Sequence, residues 1–152
     1  MRAARREITW AEFDEVMHRL AVEVSARGAP DAVVGIARGG AIVGCTLSFL
    51  LGRDFYPMQL RKRGGATRVV VSPPADVAGL HVALVDDFSL AGDTFRIAQL
   101  ELSRVGARQV TTVALLRREP GFRPDVFGLE VANKVRFPWA RDQLIEGQFV
   151  KR

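Results

Sequence analysis

Asp86 and Asp87 stand side by side at the end of an apolar run. The stretch Val82–Thr94, VALVDDFSLAGDT, sets two carboxylates, two hydroxyls and a glycine within a few residues of each other. In an open parallel sheet, ligands sit beyond the carboxyl ends of the strands. A helix entered through a glycine turn offers unpaired backbone N–H groups to an anion, most often phosphate. Ser89 and Thr94 add hydroxyl donors, and Thr94 opens the helix. Two carboxylates beside such a cradle repel a bare phosphate, by roughly 3 kcal/mol for unit charges ~6 Å apart at an effective dielectric near 20. The pair suits a ligand that carries a phosphate and also a diol or a magnesium ion. Carboxylates accept hydrogen bonds from ribose hydroxyls, or hold Mg²⁺ through water. A ribose 5-phosphate satisfies both halves. The plainer reading is that Asp86 and Asp87 only end a strand and cap a turn.

Other chemistries lack their residues. There is no GxxxxGK[ST] loop, no GxGxxG fingerprint and no GxSxG elbow. A receiver-type phosphoacceptor site needs a further lone acid and a lysine after later strands, and neither is found. His18 and His81 are the only histidines and Cys45 the only cysteine, so no His/Cys metal set and no intramolecular disulfide can form. Cys45 sits in an apolar run and reads as a small core residue. The net charge of +5, with 19 Arg against 3 Lys, favours anionic partners without naming one. Residues 1–6 carry three arginines but no apolar segment of the signal-peptide kind. The longest apolar run, Ala41–Leu51, is broken by Gly44, Thr46 and Ser48, and is about half a bilayer span. A cytoplasmic, single-domain protein over residues 1–152, with no membrane partner, is expected.

The elements that must position these residues are readable. Thr9 and Glu12 form a capping-box pattern, with Ile8 and Phe13 as a hydrophobic staple. Trp10, Phe13, Met17, Leu20 and Val24 recur at helical spacing as one core stripe, ended by Gly28 and Pro30. Ala32–Ile36 reads as a strand buried on both faces, and Ala41–Leu51, apolar nearly all round, as a buried helix stopped by Gly52. Phe55–Leu60 predicts a strand, Arg61–Ala66 a basic loop, Thr67–Val71 a strand and Ser72–Gly79 a proline-rich connection. His81–Val85 predicts a strand, Thr94–Val105 a helix closed by Gly106, and Val110–Leu116 a further strand. Glu119–Arg152 reads as irregular, interrupted by Pro120, Pro124 and Pro138. Strands alternating with helices imply an α/β fold, a mostly parallel twisted sheet flanked by helices.

At these residues the chain resembles the type I phosphoribosyltransferases, and among them the xanthine/guanine/hypoxanthine branch. VALVDDFSLAGDT resembles the family signature. VVGIARGG (Val33–Gly40) resembles its pyrophosphate loop, and ITWAEFDEVMHRLA and Pro124, Asp125, Phe137, Pro138 and Trp139 resemble that branch. The resemblance implies a phosphoribosyltransferase that moves a phosphoribosyl group from phosphoribosyl pyrophosphate to a purine-like base, with Mg²⁺ as cofactor. Asp86 and Asp87 would grip the ribose hydroxyls, stabilise the cation-like sugar and meet the metal indirectly. Ser89, Leu90, Ala91, Gly92, Asp93 and Thr94 would hold the 5-phosphate. Ala37, Arg38, Gly39 and Gly40 would meet pyrophosphate, in a loop that often holds a non-proline cis peptide. Arg61, Lys62 and Arg63 would lie on a mobile loop closing the site, with a solvated basic loop as the alternative. A hood over approximately 119–152 would cover the base, with Arg117, Lys134, Val135 and Phe137 near it. An apolar hood also suggests a homo-oligomer.

Three departures from the branch stand out. Leu90 replaces the aspartate that handles the base proton, as in the adenine and orotate branches, which also lack an acid there. Lys134 aligns with the aromatic that stacks on the purine, a role Phe137 or Trp139 would have to take. Arg117 aligns near the lysine that reads an exocyclic oxygen, which its own donors would serve. These departures keep open an alternative: a non-catalytic nucleotide sensor or regulator of the same fold, with RNA binding as its further possibility. Aromatics interleaved with arginines, as single-stranded RNA sites use, are not visible.

Overall fold

The computed structural model describes residues 5–152, so the beginning of the arginine-bearing segment 1–6 lies outside the described residues. The chain runs β1 (Arg6–Glu7), α1 (Trp10–Ala26), β2 (Ala32–Ala37), α2 (Gly39–Leu51), β3 (Asp54–Arg63) and β4 (Ala66–Val71). A 3₁₀ turn (Ala75–Val77) leads to β5 (His81–Ser89), α3 (Asp93–Arg104), β6 (Gln109–Arg118) and β7 (Val126–Val131). β8 (Val135–Arg136), a second 3₁₀ turn (Pro138–Ala140), β9 (Asp142–Ile145) and β10 (Gln148–Lys151) follow.

Six strands make the central sheet in the order β4-β3-β2-β5-β6-β7. Every neighbouring pair is parallel except β3–β4. The expected α/β architecture, a mostly parallel twisted sheet flanked by helices, is therefore present. Helices α1 and α2 pack on one face and α3 on the other. Two cores result: Phe13, Met17, Leu20, Val33, Val43 and Val85 belong to the first, and Val34, Met58, Leu84, Phe95 and Leu102 to the second. β2 and β5 feed side chains into both, which is why their sequences read as unbroken apolar runs.

Local chemistry sets the boundaries. Thr9 Oγ1 accepts from the Glu12 amide at 3.0 Å and caps α1, while the Glu12 carboxylate turns to Arg6 instead of back to Thr9. Gly52 closes α2 in the left-handed conformation.

Several expectations need correction. Trp10 is 57% exposed; at the first position of α1 it packs edge-on to Phe13 and 6.1 Å from Trp139, outside the core stripe. Helix α2 is not buried all round: one side meets β2 and β5, and Phe49 is left 83% exposed. Arg61–Arg63 are not loop residues. They extend β3 into a ribbon with β4, pairing Arg61 with Arg68, Lys62 with Thr67 and Arg63 with Ala66. The reason is the two-residue turn Gly64–Gly65, with φ of 55° and 79°, which fits a twisted hairpin. A register shift between Gln59 and Leu60 marks where that ribbon leaves the sheet. β5 runs on past Val85 through Asp86 and Asp87 to Ser89, because Asp86 and Phe88 still pair with Ala114 and Leu116. Finally, Glu119–Arg152 is not irregular throughout. Asp125 accepts from Thr112 N (2.8 Å) and Thr112 Oγ1 (2.9 Å), fastening the turn from which β7 joins the main sheet. No helix among the described residues is long and apolar enough to cross a membrane.

Candidate functional site

A cleft of about 710 Å³ opens at the carboxyl ends of β2 and β5. It is walled by Ala37–Gly39, by the whole run Asp86–Thr94, and by Lys62 and Gly65–Thr67 of the β3–β4 ribbon. Backbone contact builds it. A Cβ on Gly39 would meet Asp87 Oδ2 at 1.8 Å, and one on Gly40 would meet the Val85 carbonyl at 2.6 Å. Only glycines let α2 begin this close to the acid pair. The Ala37–Arg38 peptide in the same loop is cis.

The two acids are unlike exposed carboxylates. The Asp87 amide donates to Asp86 Oδ1 at 2.9 Å. Burial pushes the Asp86 carboxyl well above its ordinary range, and the neighbouring Asp87 charge pushes it the same way. Burial raises Asp87 as well, opposed by hydrogen bonds from Asp86 and from the backbone. A cation placed between them reverses these effects. Next to the pair, Gly92 starts α3 at φ 92° with no side-chain cap, so the first-turn amides keep free N–H groups for an anion. Thr94 and Arg96 also face this end of the cleft. Ser89 is buried, and its hydroxyl donates to the Phe122 carbonyl at 3.1 Å, so it holds the loop in shape and is not a free donor.

The structure thus brings Ala37, Arg38, Gly39, Asp86, Asp87, Ser89, Leu90, Ala91, Gly92, Asp93 and Thr94 to one cleft. Gly40 lies behind it, against Asp86. Of the basic trio only Lys62 reaches the lining; Arg61 and Arg63 do not. Lys134 and Val135 border a second cavity of about 200 Å³ with Arg5, Phe88, Leu90 and Arg118. Phe137 stacks on Trp139 (4.7 Å, 9°) and meets Phe88 edge-on, so both rings belong to a packed cluster. Arg117 reaches neither cavity. It is buried between Glu119 and Glu130, with its guanidinium 5.5 Å from the centre of the Phe127 ring. Adjacent strand residues face opposite ways, so it is Arg118 that borders the second cavity. Arg118, Arg96 and Arg5 escaped the sequence reading; the alternation along β6 was the available signal for the first. Among the described residues no group of three or more His, Cys, Asp or Glu side chains could hold a metal unaided. Mg²⁺ ordinarily takes one or two carboxylates plus substrate phosphates and water. The Asp86–Asp87 pair fits a metal brought in with such a substrate.

Comparison with known proteins agrees with this geometry. Residues 9–140 match the family described as phosphoribosyl transferase domain. The chain is 34% identical to the bifunctional protein PyrR of Pseudomonas paraeruginosa over 133 residues, covering 75% of this chain and 78% of that protein. It is 30% identical to the orotate phosphoribosyltransferase of Sulfurisphaera tokodaii over 91 residues, 60% of this chain and 46% of that one. The chain spans between 46% and 68% of the length of the orotate and adenine phosphoribosyltransferases it matches, and about half of several of them. Among solved structures, the purine phosphoribosyltransferase of Pyrococcus horikoshii superposes with a TM-score of 0.85 at 26% identity, over 93% of this chain and 98% of that one.

Proposed function

Because the chain belongs to the phosphoribosyl transferase family, we propose that its cleft binds phosphoribosyl pyrophosphate and transfers the phosphoribosyl group to a heterocyclic base, purine-like in the first instance. The observation that carries this reading is the juxtaposition, in one cleft, of the Asp86–Asp87 pair and the uncapped N-terminus of α3. The first-turn amides and Thr94 hold the 5-phosphate. Asp86 and Asp87 accept from the ribose hydroxyls and face the positive charge that develops on the sugar as pyrophosphate departs. The Arg38–Gly39 backbone meets the pyrophosphate, and Lys62 offers it a cation from the ribbon. Mg²⁺, when bound, supplies charge neutralisation of the pyrophosphate. The enzyme works in the cytoplasm in nucleotide salvage.

The decisive experiment is pyrophosphate release from phosphoribosyl pyrophosphate with Mg²⁺, against purines and pyrimidines. Turnover with at least one base is expected, and Asp87→Asn lowers it by more than about tenfold, the size of a lost charge-stabilising contact. Unchanged turnover in that variant would show that Asp87 does not stabilise the sugar cation. Leu90, which brings no proton-handling group, favours one second reading: a regulator that binds nucleotides without turnover. Saturable binding with no pyrophosphate release from any base selects it, and salt-sensitive RNA affinity would extend it.

A further inference from the structure

We propose that the base accepted by this site is anionic: a heterocycle bearing a carboxylate or an ionised ring oxygen. This rests on the reading that the main cleft holds the ribose phosphate.

The second cavity shares Phe88 and Leu90 with the main cleft, so it is the adjoining space into which a base on the sugar would project. Its volume of about 200 Å³ suits one ring system. Phe88, Leu90 and Val135 provide apolar surface for a planar face. The polar part of the wall consists of Arg5, Arg118 and Lys134 alone, with no carboxylate, amide or hydroxyl side chain among its described residues.

The fold sets these three cations there. β1 pairs with β8 so that Arg6 lies opposite Val135, which puts Arg5 and Lys134 side by side one residue earlier. Arg118 ends the β6 ladder opposite Val131. The neighbouring acids Glu119 and Glu130 are both engaged by Arg117 on the other side of the strand. None of the three cations belongs to an ion pair among the described residues. A neutral base gains no charge contact from this positive wall, whereas an anionic one does. The same wall selects against a base that presents a cationic edge, because like charges are brought together there.

The test compares pairs of nucleotides in which one base is anionic and the other neutral. Orotidine 5′-monophosphate is titrated against uridine 5′-monophosphate, and xanthosine 5′-monophosphate against inosine 5′-monophosphate, by calorimetry at low salt. The anionic member of at least one pair binds roughly tenfold more tightly, and that ratio falls by about fivefold or more in both Lys134→Gln and Arg118→Gln. Both side chains are exposed, and a thermal melt reports whether each variant keeps its fold. Equal binding within both pairs, or a ratio unmoved in both variants, overturns the inference and leaves the ribose-phosphate reading standing. Binding of none of the four nucleotides overturns both.

Discussion

Replacing Asp86 by Asn separates what the residue does for the site from what it does for stability. The carboxyl is held above its ordinary range by burial and by Asp87. A raised pKa in the folded state means that stability falls as pH climbs from the unfolded value through the folded one, and stays lowered above it. The Asn side chain keeps an oxygen to accept from the Asp87 amide and carries no charge. Asp86→Asn should therefore melt higher than the parent at pH 7, by about 2–4 °C for each kcal/mol regained. The gap should close in acid. Pyrophosphate release should fall in the same variant. A lower melting point at neutral pH would show that the acid pair is not a source of strain. The pair itself was legible in the sequence, because two acids at the end of an apolar run have few structural uses. The separate roles of the two arginines that end β6 were not. Arg117 and Arg118 are chemically equivalent as letters, and only the register of β6 with β7 decides which is buried between Glu119 and Glu130 and which is left for the cavity.

At the scale of elements, α3 is tied to the connection before β5 through one carboxylate. Glu101 accepts from Arg104 at 2.7 and 2.9 Å and from Ser72 at 2.6 Å. The Arg104 bond, and then the Ser72 bond, draw its pKa from 4.5 down to about 2. A lowered pKa contributes stability that is complete above 4.5 and lost as pH falls through about 2. Acid unfolding followed by circular dichroism should therefore show a Glu101-dependent loss across that window. Glu101→Gln should flatten it, and identical acid profiles would show that the contact adds nothing to acid stability. The strands β2, β5 and β6 and all three helices could be read from apolar runs, caps and helical spacing. The ribbon was harder, since the charged run Arg61–Arg63 looks like loop until its pairing with Arg68, Thr67 and Ala66 is seen. β7 was missed because VFGLEV is short, contains a glycine and follows Pro120 and Pro124; it is made a strand by the ladder to β6 and the Thr112–Asp125 bonds.

For the whole molecule, the apolar surface is unevenly spread. Leu144, Ile145, Phe149 and Val150 are exposed on the β9–β10 hairpin, which joins no other sheet; Phe149 is 78% exposed. A two-stranded hairpin is marginal alone in water, so self-association that covers it is expected. Sedimentation equilibrium should return a mass that is a multiple of 16.7 kDa, moving toward the single-chain mass in Phe149→Lys. A single-chain mass for the parent at all concentrations would rule this out. At the β4 edge of the central sheet, β3 is held to β2 from Asp54 to Gln59 and then continues as the ribbon with β4. The register shift between Gln59 and Leu60 lies at the point of departure. Lys62 and the Gly65–Thr67 wall of the cleft are carried on this one ribbon, so any displacement of it would shift the cation and the wall together.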